Sequence, residues 1–120
     1  MDSAYELFRN GTRLLEDGDF HAAAVPLRRA RDLEPDKTSV REALGRALFG
    51  SRRYQEAAEE FRAVVEHAPT NDFALFCLGR SLQLMGRHAE ARGPLTLASG
   101  MRPERADYRE YLARARRRAA

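Results

Sequence analysis

The chain has 120 residues, of which 43% are hydrophobic and 32% are charged, and its formal net charge is +3. This length supports one domain with a modest core, and the composition is that of a soluble globular protein. No apolar run approaches the roughly 20 residues of a membrane helix, and the acidic start of the sequence lacks the layout of a secretory signal. The single cysteine, Cys77, excludes an internal disulfide. We therefore expect a cytoplasmic protein with no membrane partner.

The charge is distributed unevenly along the chain. Residues 1–101 contain 14 basic and 15 acidic side chains, whereas residues 102–120 contain seven arginines and three acidic residues. A basic terminal segment is typical of contact with nucleic acid or an anionic surface. It is also typical of a charged helix that covers the last apolar face of a repeat array. The sequence leaves both interpretations open.

Helical patterns follow one another along the whole chain, and no strand pattern occurs. The first helix begins with Ser3 followed three residues later by Glu6, which is the spacing of a capping box. Gly18-Asp19 interrupts the pattern before a second helix, which contains Pro26. The predicted helices span residues 3–16, 20–33, 38–50, 54–67, 71–84, 88–99 and 104–117.

One set of residues recurs at a period of 34. The recurring residues are Gly11, Gly45 and Gly79; Ala23, Ala57 and Ala91; Leu27, Phe61 and Leu95; and Pro35, Pro69 and Pro103. A period of this length indicates units that stack on their neighbours to bury their apolar faces. Glycine inside a helix costs about 1 kcal/mol relative to alanine. Its recurrence therefore predicts that a neighbouring helix approaches closely at each glycine, and we interpret all these positions as scaffold.

This pattern resembles the tetratricopeptide repeat family. The resemblance includes the Leu-Gly pairs that begin at Leu44 and Leu78, and the aromatic residues Phe20 and Tyr54. It covers residues 4–105, whereas Asn10 and His88 depart from the family's usual apolar and aromatic residues. The predicted repeats are residues 4–37, 38–71 and 72–105, with a capping helix over 104–117, in a single domain over 1–120.

The resemblance implies an all-α fold in which seven helices wind into a right-handed superhelix. It also implies a concave groove lined by the first helix of each repeat, and a non-catalytic scaffold that binds another protein. Some members of the family clamp a C-terminal carboxylate with lysine, asparagine and arginine side chains. We do not expect that clamp here, because the matching positions are Phe8, Thr12, Ala43, Phe73 and Cys77.

Helical geometry identifies side chains that would line the groove. If Leu7, Gly11 and Leu14 pack inward, the opposite face of the first helix, which includes Leu15, lies in the groove. The same face of the first helix of each later repeat, and of the terminal helix, lies beside this face of the first helix. The candidate groove residues are Tyr5, Phe8, Arg9, Thr12, Glu42, Arg46, Phe49, Phe73, Phe76, Cys77, Arg80, Gln83, Tyr111 and Arg114.

Two features of this face indicate binding. It carries aromatic residues that the scaffold does not need, and Arg46, Arg80 and Arg114 recur at intervals of 34 as a predicted arginine ladder. Aromatic residues and arginine are enriched where binding energy concentrates. We therefore expect a partner peptide or helix with apolar anchors and acidic groups. The alternative is that Tyr5 and Phe73 pack between adjacent helices as core.

Other functions are weaker alternatives. Self-association into a homo-oligomer is the first alternative, because we expect an array this short to have two apolar ends, with no N-terminal cap over the face of residues 3–33. Weak nucleic-acid contact through the arginine-rich last helix is a second alternative, although the rest of the chain is not basic. We find no catalytic motif and no cofactor site. The three histidines show no metal-ligand spacing, and we expect no enzyme.

Overall fold

The computed structural model describes residues 2–119, which form seven helices and no strand. The helices are α1 (Ala4–Glu16), α2 (Phe20–Leu33), α3 (Thr38–Gly50), α4 (Tyr54–His67), α5 (Asp72–Leu84), α6 (His88–Met101) and α7 (Ala106–Ala119). Their bounds differ from the predicted ones by at most two residues, and the predicted all-α fold is confirmed. The predicted cap of α1 also forms, because the Ser3 hydroxyl accepts a hydrogen bond from the Glu6 backbone N–H at 3.1 Å.

The helices stack in chain order into an elongated array of 51 × 24 × 22 Å. Each helix packs on the next one in sequence, and α1 also contacts α3 as α5 contacts α7. The first helices of successive hairpins therefore lie side by side along one surface. α1, α3, α5 and α7 begin at residues 4, 38, 72 and 106, so the helices follow the 34-residue period of the sequence.

A glycine on the first helix of each hairpin contacts a large apolar side chain on the second. A Cβ atom on Gly11 would lie 2.4 Å from Cγ of Leu27, and one on Gly79 would lie 2.5 Å from Cγ of Leu95. Gly45 stands in the same relation to Phe61. Carbon atoms in contact lie about 3.5 to 4 Å apart, so no larger residue fits. The close approach predicted from the recurring glycines is confirmed.

The turn inside each hairpin repeats a left-handed backbone conformation. Gly18 and Gly86 have φ values of 82° and 80°, and Arg52, at the equivalent position, has a φ of 62°. A residue with a Cβ atom pays roughly 1 kcal/mol or more in this region of φ/ψ space. The second hairpin therefore carries local strain that the first and third avoid.

A buried carboxylate joins the first two hairpins. Glu60 on α4 is 5% exposed and accepts hydrogen bonds from Arg31 on α2 at 2.5 Å and from Arg41 on α3 at 3.0 Å. The equivalent positions in α2 and α6 are the prolines Pro26 and Pro94. The second hairpin thus replaces an apolar residue with a charge, and two guanidinium groups compensate that charge.

The two ends of the array are polar, which corrects the expectation of apolar ends. The outer face of α1 exposes Glu6, Arg9, Asn10 and Arg13 at the positions where α3 buries Val40, Ala43, Leu44 and Ala47. On α7, Arg109 and Arg116 are exposed where α5 buries Leu75 and Leu82. Asn10, which departs from the family pattern, lies on this exposed face of α1. The expectation of an apolar N-terminal face that needs a cap was therefore wrong.

Helix α7 is anchored to α5 through Tyr108. This side chain is fully buried, and its hydroxyl donates a hydrogen bond to Asp72 at 2.8 Å. Its ring stacks on Phe76 with centroids 4.5 Å apart. Leu112 and Ala115 bury the same face of α7 in the core. The last helix is therefore an integral part of the packed array.

The glycine contacts predict that alanine substitution destabilises the protein at a packed glycine and stabilises it at an exposed one. Gly79→Ala should lower the free energy of unfolding by about 1 to 3 kcal/mol, because the new methyl group overlaps Leu95. Gly100→Ala is the control: a Cβ atom there meets nothing within 4 Å, so better helix propensity should raise stability by about 0.5 to 1 kcal/mol. Urea denaturation measures both, and a stabilised Gly79→Ala variant would contradict the packing.

The buried ion cluster predicts a second stability difference. Glu60→Gln should cost about 1 to 3 kcal/mol, because it removes the buried charge that Arg31 and Arg41 share, although Arg31 keeps its pair with Asp32. Glu59→Gln, on the exposed side of the same helix, should change stability by less than about 0.5 kcal/mol. Thermal unfolding monitored by circular dichroism compares the two variants. Equal melting temperatures would show that the cluster does not stabilise the fold.

Candidate functional site

A cleft of about 510 Å³ opens on the surface that the first helices share. Most of its wall comes from α3, α5 and α7, and aromatic rings dominate the lining. The cleft is lined by Leu15, Phe20, Arg46, Phe49, Gly50, Phe61, Phe73, Phe76, Cys77, Arg80, Asp107 and Tyr111. Seven of the fourteen candidate groove residues are thus brought together here: Arg46, Phe49, Phe73, Phe76, Cys77, Arg80 and Tyr111.

The aromatic rings of the cleft are held to different degrees. Phe76 packs against Tyr108 and lies 5.7 Å from the ring centroid of Tyr111. Phe49 meets Tyr54 edge to face at 5.4 Å. Phe73 is half-buried, and among residues 2–119 it takes part in no such aromatic pair. Phe73 is therefore less constrained by neighbouring rings than Phe49 and Phe76 are.

Two rungs of the predicted arginine ladder meet at Tyr111. The Cζ atom of Arg80 lies 3.8 Å from the Tyr111 ring centroid, and that of Arg114 lies 4.8 Å from it. Arg80 also donates a hydrogen bond to Gln83 at 3.0 Å. Burial lowers the pKa of Arg80, and the positive charge of Arg114 lowers it further. The two guanidinium groups therefore share one region of positive potential.

The arginines differ in how their charge is compensated. Arg114 forms an ion pair with Glu110 at 2.6 Å. Arg46 is exposed, and within residues 2–119 neither Arg46 nor Arg80 forms an ion pair with a carboxylate. The cleft therefore offers two uncompensated guanidinium groups beside an aromatic surface.

Three side chains differ in burial from what the helical phase suggested. Leu15 is only 5% exposed and belongs to the core, whereas Leu14, expected inside, is half-buried. Leu7, Gly11 and Leu15 form the buried stripe at a spacing of four residues. Gln83 is 8% exposed, and its amide donates a hydrogen bond to the Tyr111 carbonyl at 2.8 Å. Gln83 thus holds α7 against α5.

The remaining candidate residues lie outside the central cleft. Tyr5, which is 68% exposed, and Phe8 line a separate hollow of about 190 Å³ at the start of α1. Arg9 is exposed on α1, and the Thr12 hydroxyl donates to the Phe8 carbonyl at 2.9 Å. Glu42 accepts a hydrogen bond from Asn71. The structure therefore divides the predicted groove face into a central cleft and a peripheral N-terminal part.

Sequence reasoning assigned Phe20 and Phe61 to the scaffold, yet both also line the cleft. A Cβ atom on Gly50 would lie 2.3 Å from the Phe20 ring. Because Gly50 has no side chain, the Phe20 ring of α2 fits against the end of α3. The aromatic surface of the cleft therefore includes a ring from the first hairpin. The contact joins residues 30 positions apart in the sequence, and no local pattern announces it.

Cys77 contributes a neutral thiol to the cleft. Burial raises its pKa to about 12, and the negative charge of Glu42 acts in the same direction. Nowhere in residues 2–119 do histidine, cysteine and acidic side chains gather in a group that could hold a metal ion. No helix in that range has the length and apolar composition needed to cross a bilayer.

Stacked helical hairpins with an aromatic cleft on one surface define a helical repeat protein of the scaffold class. Residues 8–72, more than half of the chain, match the tetratricopeptide repeat family, and the chain belongs to that family. A comparison with curated proteins found no match.

Solved structures share the fold at low sequence identity. The structure "MamA 41-end from Desulfovibrio magneticus RS-1" has a TM-score of 0.91 and 22% identity, covering 98% of this chain and 66% of that one. "MamA AMB-1" has a TM-score of 0.86 and 25% identity, covering 94% and 62%. This chain thus spans just under two thirds of the MamA chains.

A third neighbour is the first tetratricopeptide domain of Spaghetti (RPAP3) bound to the HSP90 peptide SRMEEVD. Its TM-score is 0.87 at 15% identity, covering 95% of this chain and 90% of that one. Identity this low establishes the shared fold, a tetratricopeptide solenoid, and nothing finer.

The raised pKa of Cys77 predicts a slow thiol. At pH 8 a cysteine of ordinary pKa is roughly one quarter thiolate, whereas a pKa of about 12 leaves about one part in ten thousand. Alkylation by iodoacetamide should therefore be slow in the folded protein, should accelerate as pH rises towards 12, and should become ordinary in denaturant. Mass spectrometry follows the reaction, and ordinary alkylation of folded protein would show that the thiol is not buried.

Proposed function

We propose that the central cleft binds a peptide or helical segment of a partner protein. One or more apolar side chains of the partner enter between the aromatic rings, and acidic groups of the partner meet Arg46 and Arg80. The observation that carries this proposal is the aromatic cleft of about 510 Å³ with its two guanidinium groups that lack a carboxylate partner within residues 2–119.

The physical chemistry of the cleft supports this occupant. Binding sites are commonly apolar hollows of about 300 to 1,000 Å³ with a few polar groups that fix orientation. A few residues carry most of the binding energy at protein interfaces, and aromatic residues and arginine are enriched there. A carboxylate of the partner held by Arg46 or Arg80 would form the ion pair that these two arginines lack within residues 2–119, since Asp107 in the cleft pairs with Arg105. A partner segment with an acidic group next to an apolar residue therefore matches both the aromatic rings and the guanidinium groups of the cleft.

The family and its neighbours support the same general role. Tetratricopeptide repeat proteins are in general non-catalytic interaction modules, and the neighbour bound to an HSP90 peptide shows that this fold holds a peptide in that protein. We propose a scaffold without catalytic activity. The cytoplasmic location stays a prediction.

Self-association is the less favoured alternative. Stacking of two copies through the ends of the array would place exposed charges such as Arg13 and Arg116 against a second protein surface. Burial of charges without partners opposes such an interface. Nucleic-acid contact through α7 is a separate alternative, which the experiments on α7 below also test.

Two substitutions test the cleft without disturbing the fold. We expect Arg46→Glu to weaken binding about fivefold to tenfold by charge repulsion, and Phe73→Ala to weaken it about tenfold or more by loss of an aromatic contact. The probe is a fluorescein-labelled pool of synthetic peptides that carry a Phe, Leu, Ile or Met anchor flanked by glutamates. Fluorescence anisotropy measures the affinity.

Each variant has a matched control on the exposed side of α6. Arg92→Glu makes the same charge change, and Leu97→Ala removes a side chain that is 54% exposed. Neither control should alter binding, and melting temperatures of all four variants should stay within about 3 °C of the parent. Equal binding by Arg46→Glu and Arg92→Glu, or no binding of the pool to the parent protein, would overturn the proposal.

A further inference from the structure

The groove face of α7 extends the central cleft with positive charge. Arg114 and Arg118 lie three and seven positions after Tyr111, on the same face of α7 as this cleft residue. Arg117 adjoins them, three positions after Arg114. These three arginines line one shallow hollow of about 330 Å³. The opposite edge of the helix carries Arg109 and Arg116. Positive charge therefore continues directly from the aromatic cleft to the end of α7.

Two of the three arginines in this hollow have no carboxylate partner within residues 2–119. Arg28, Arg53 and Arg87 each pair with a glutamate. On α7, Glu110 pairs with Arg114, and Arg117 and Arg118 form no ion pair within residues 2–119. Like charges three or four residues apart destabilise a helix, although the helix dipole favours cations in the last turn. The three arginines thus form a concentrated positive surface with one carboxylate to offset it.

We infer that the groove face of α7 binds an acidic run in the same partner segment whose apolar anchor occupies the central cleft. This inference rests on the proposed function and adds a second contact to it. Carboxylate or phosphate oxygens of the partner would accept hydrogen bonds from Arg114, Arg117 and Arg118. Arginine is well suited to this role, because its planar guanidinium group can bind such groups through two parallel hydrogen bonds.

The location of the arginines favours an acidic protein segment over nucleic acid. Arg114 contacts the Tyr111 ring, so a chain anchored in the cleft passes along these arginines without a gap. The rest of the chain is nearly neutral, with 14 basic and 15 acidic residues in 1–101. A nucleic-acid backbone would need a longer positive track.

The anchor pool separates the two contacts. One version of the pool carries a run of glutamates beside the anchor, and a second version carries glutamines instead. In each version, some peptides have this run before the anchor and others have it after the anchor. We expect the glutamate version to bind the parent protein about tenfold more tightly, a difference that shrinks with added salt. Arg117→Glu/Arg118→Glu should reduce this difference to the part that Arg46 and Arg80 supply, and should leave binding of the glutamine version unchanged.

A charge-matched control keeps net charge constant. Arg92→Glu/Arg116→Glu changes net charge by the same amount at positions off the groove, and it should retain the preference for glutamate. Equal preference in the two double variants, or no preference in the parent protein, would overturn the α7 inference. If the glutamine version still binds and Phe73→Ala still weakens it, the cleft proposal survives that failure. If neither version binds, both proposals fail.

A labelled single-stranded DNA oligonucleotide tests the other class of partner. We expect this oligonucleotide to bind more weakly than the glutamate peptides. Any DNA that binds should occupy the arginines of α7, so the glutamate peptides should displace it. Tighter binding of DNA than of the glutamate pool, lost in Arg117→Glu/Arg118→Glu, would replace the inference with nucleic-acid binding. Melting temperatures of both double variants confirm that α7 remains folded.

Discussion

The contact between a helix glycine and a large apolar side chain sets the geometry of the whole array. Gly11, Gly45 and Gly79 let the two helices of each hairpin approach until a leucine or phenylalanine fills the space above the backbone. The cost of glycine in a helix is repaid by this close packing. Because the contact recurs at the same place in each hairpin, successive hairpins stack with similar geometry. Their first helices consequently form one continuous surface.

The three hairpins share their scaffold residues and differ in the residues that face the groove. The position of Thr12 becomes arginine in α3, α5 and α7, as Arg46, Arg80 and Arg114. Aromatic rings also accumulate from Phe49 onwards towards Tyr111. The C-terminal half of the groove therefore combines apolar and positive groups, whereas the N-terminal half presents a smaller and separate hollow. The chemistry of the surface is graded along the array.

Helix α7 serves the core and the groove through different faces. Tyr108, Leu112 and Ala115 bury one face, and Tyr108 also binds the start of α5 through its hydroxyl. Tyr111 and Arg114 lie on another face and complete the cleft. A third face, with Arg109 and Arg116, leaves the end of the array polar. Capping and the proposed ligand contact are thus separable on this helix, because each depends on its own set of side chains.

The sequence alone determined the helices, their order and their packing contacts, because a 34-residue period and a buried stripe are properties of local spacing. It also identified seven side chains that meet in the cleft, since helix phase specifies which residues share a face. It could not distinguish Leu14 from Leu15, because one residue is a rotation of about 100° and both are apolar. Tertiary structure decided the rest. Phe20 reaches the cleft across Gly50, the Gln83 amide binds the backbone of α7, and the ends of the array are polar. Each of these features depends on which residues of distant helices become neighbours.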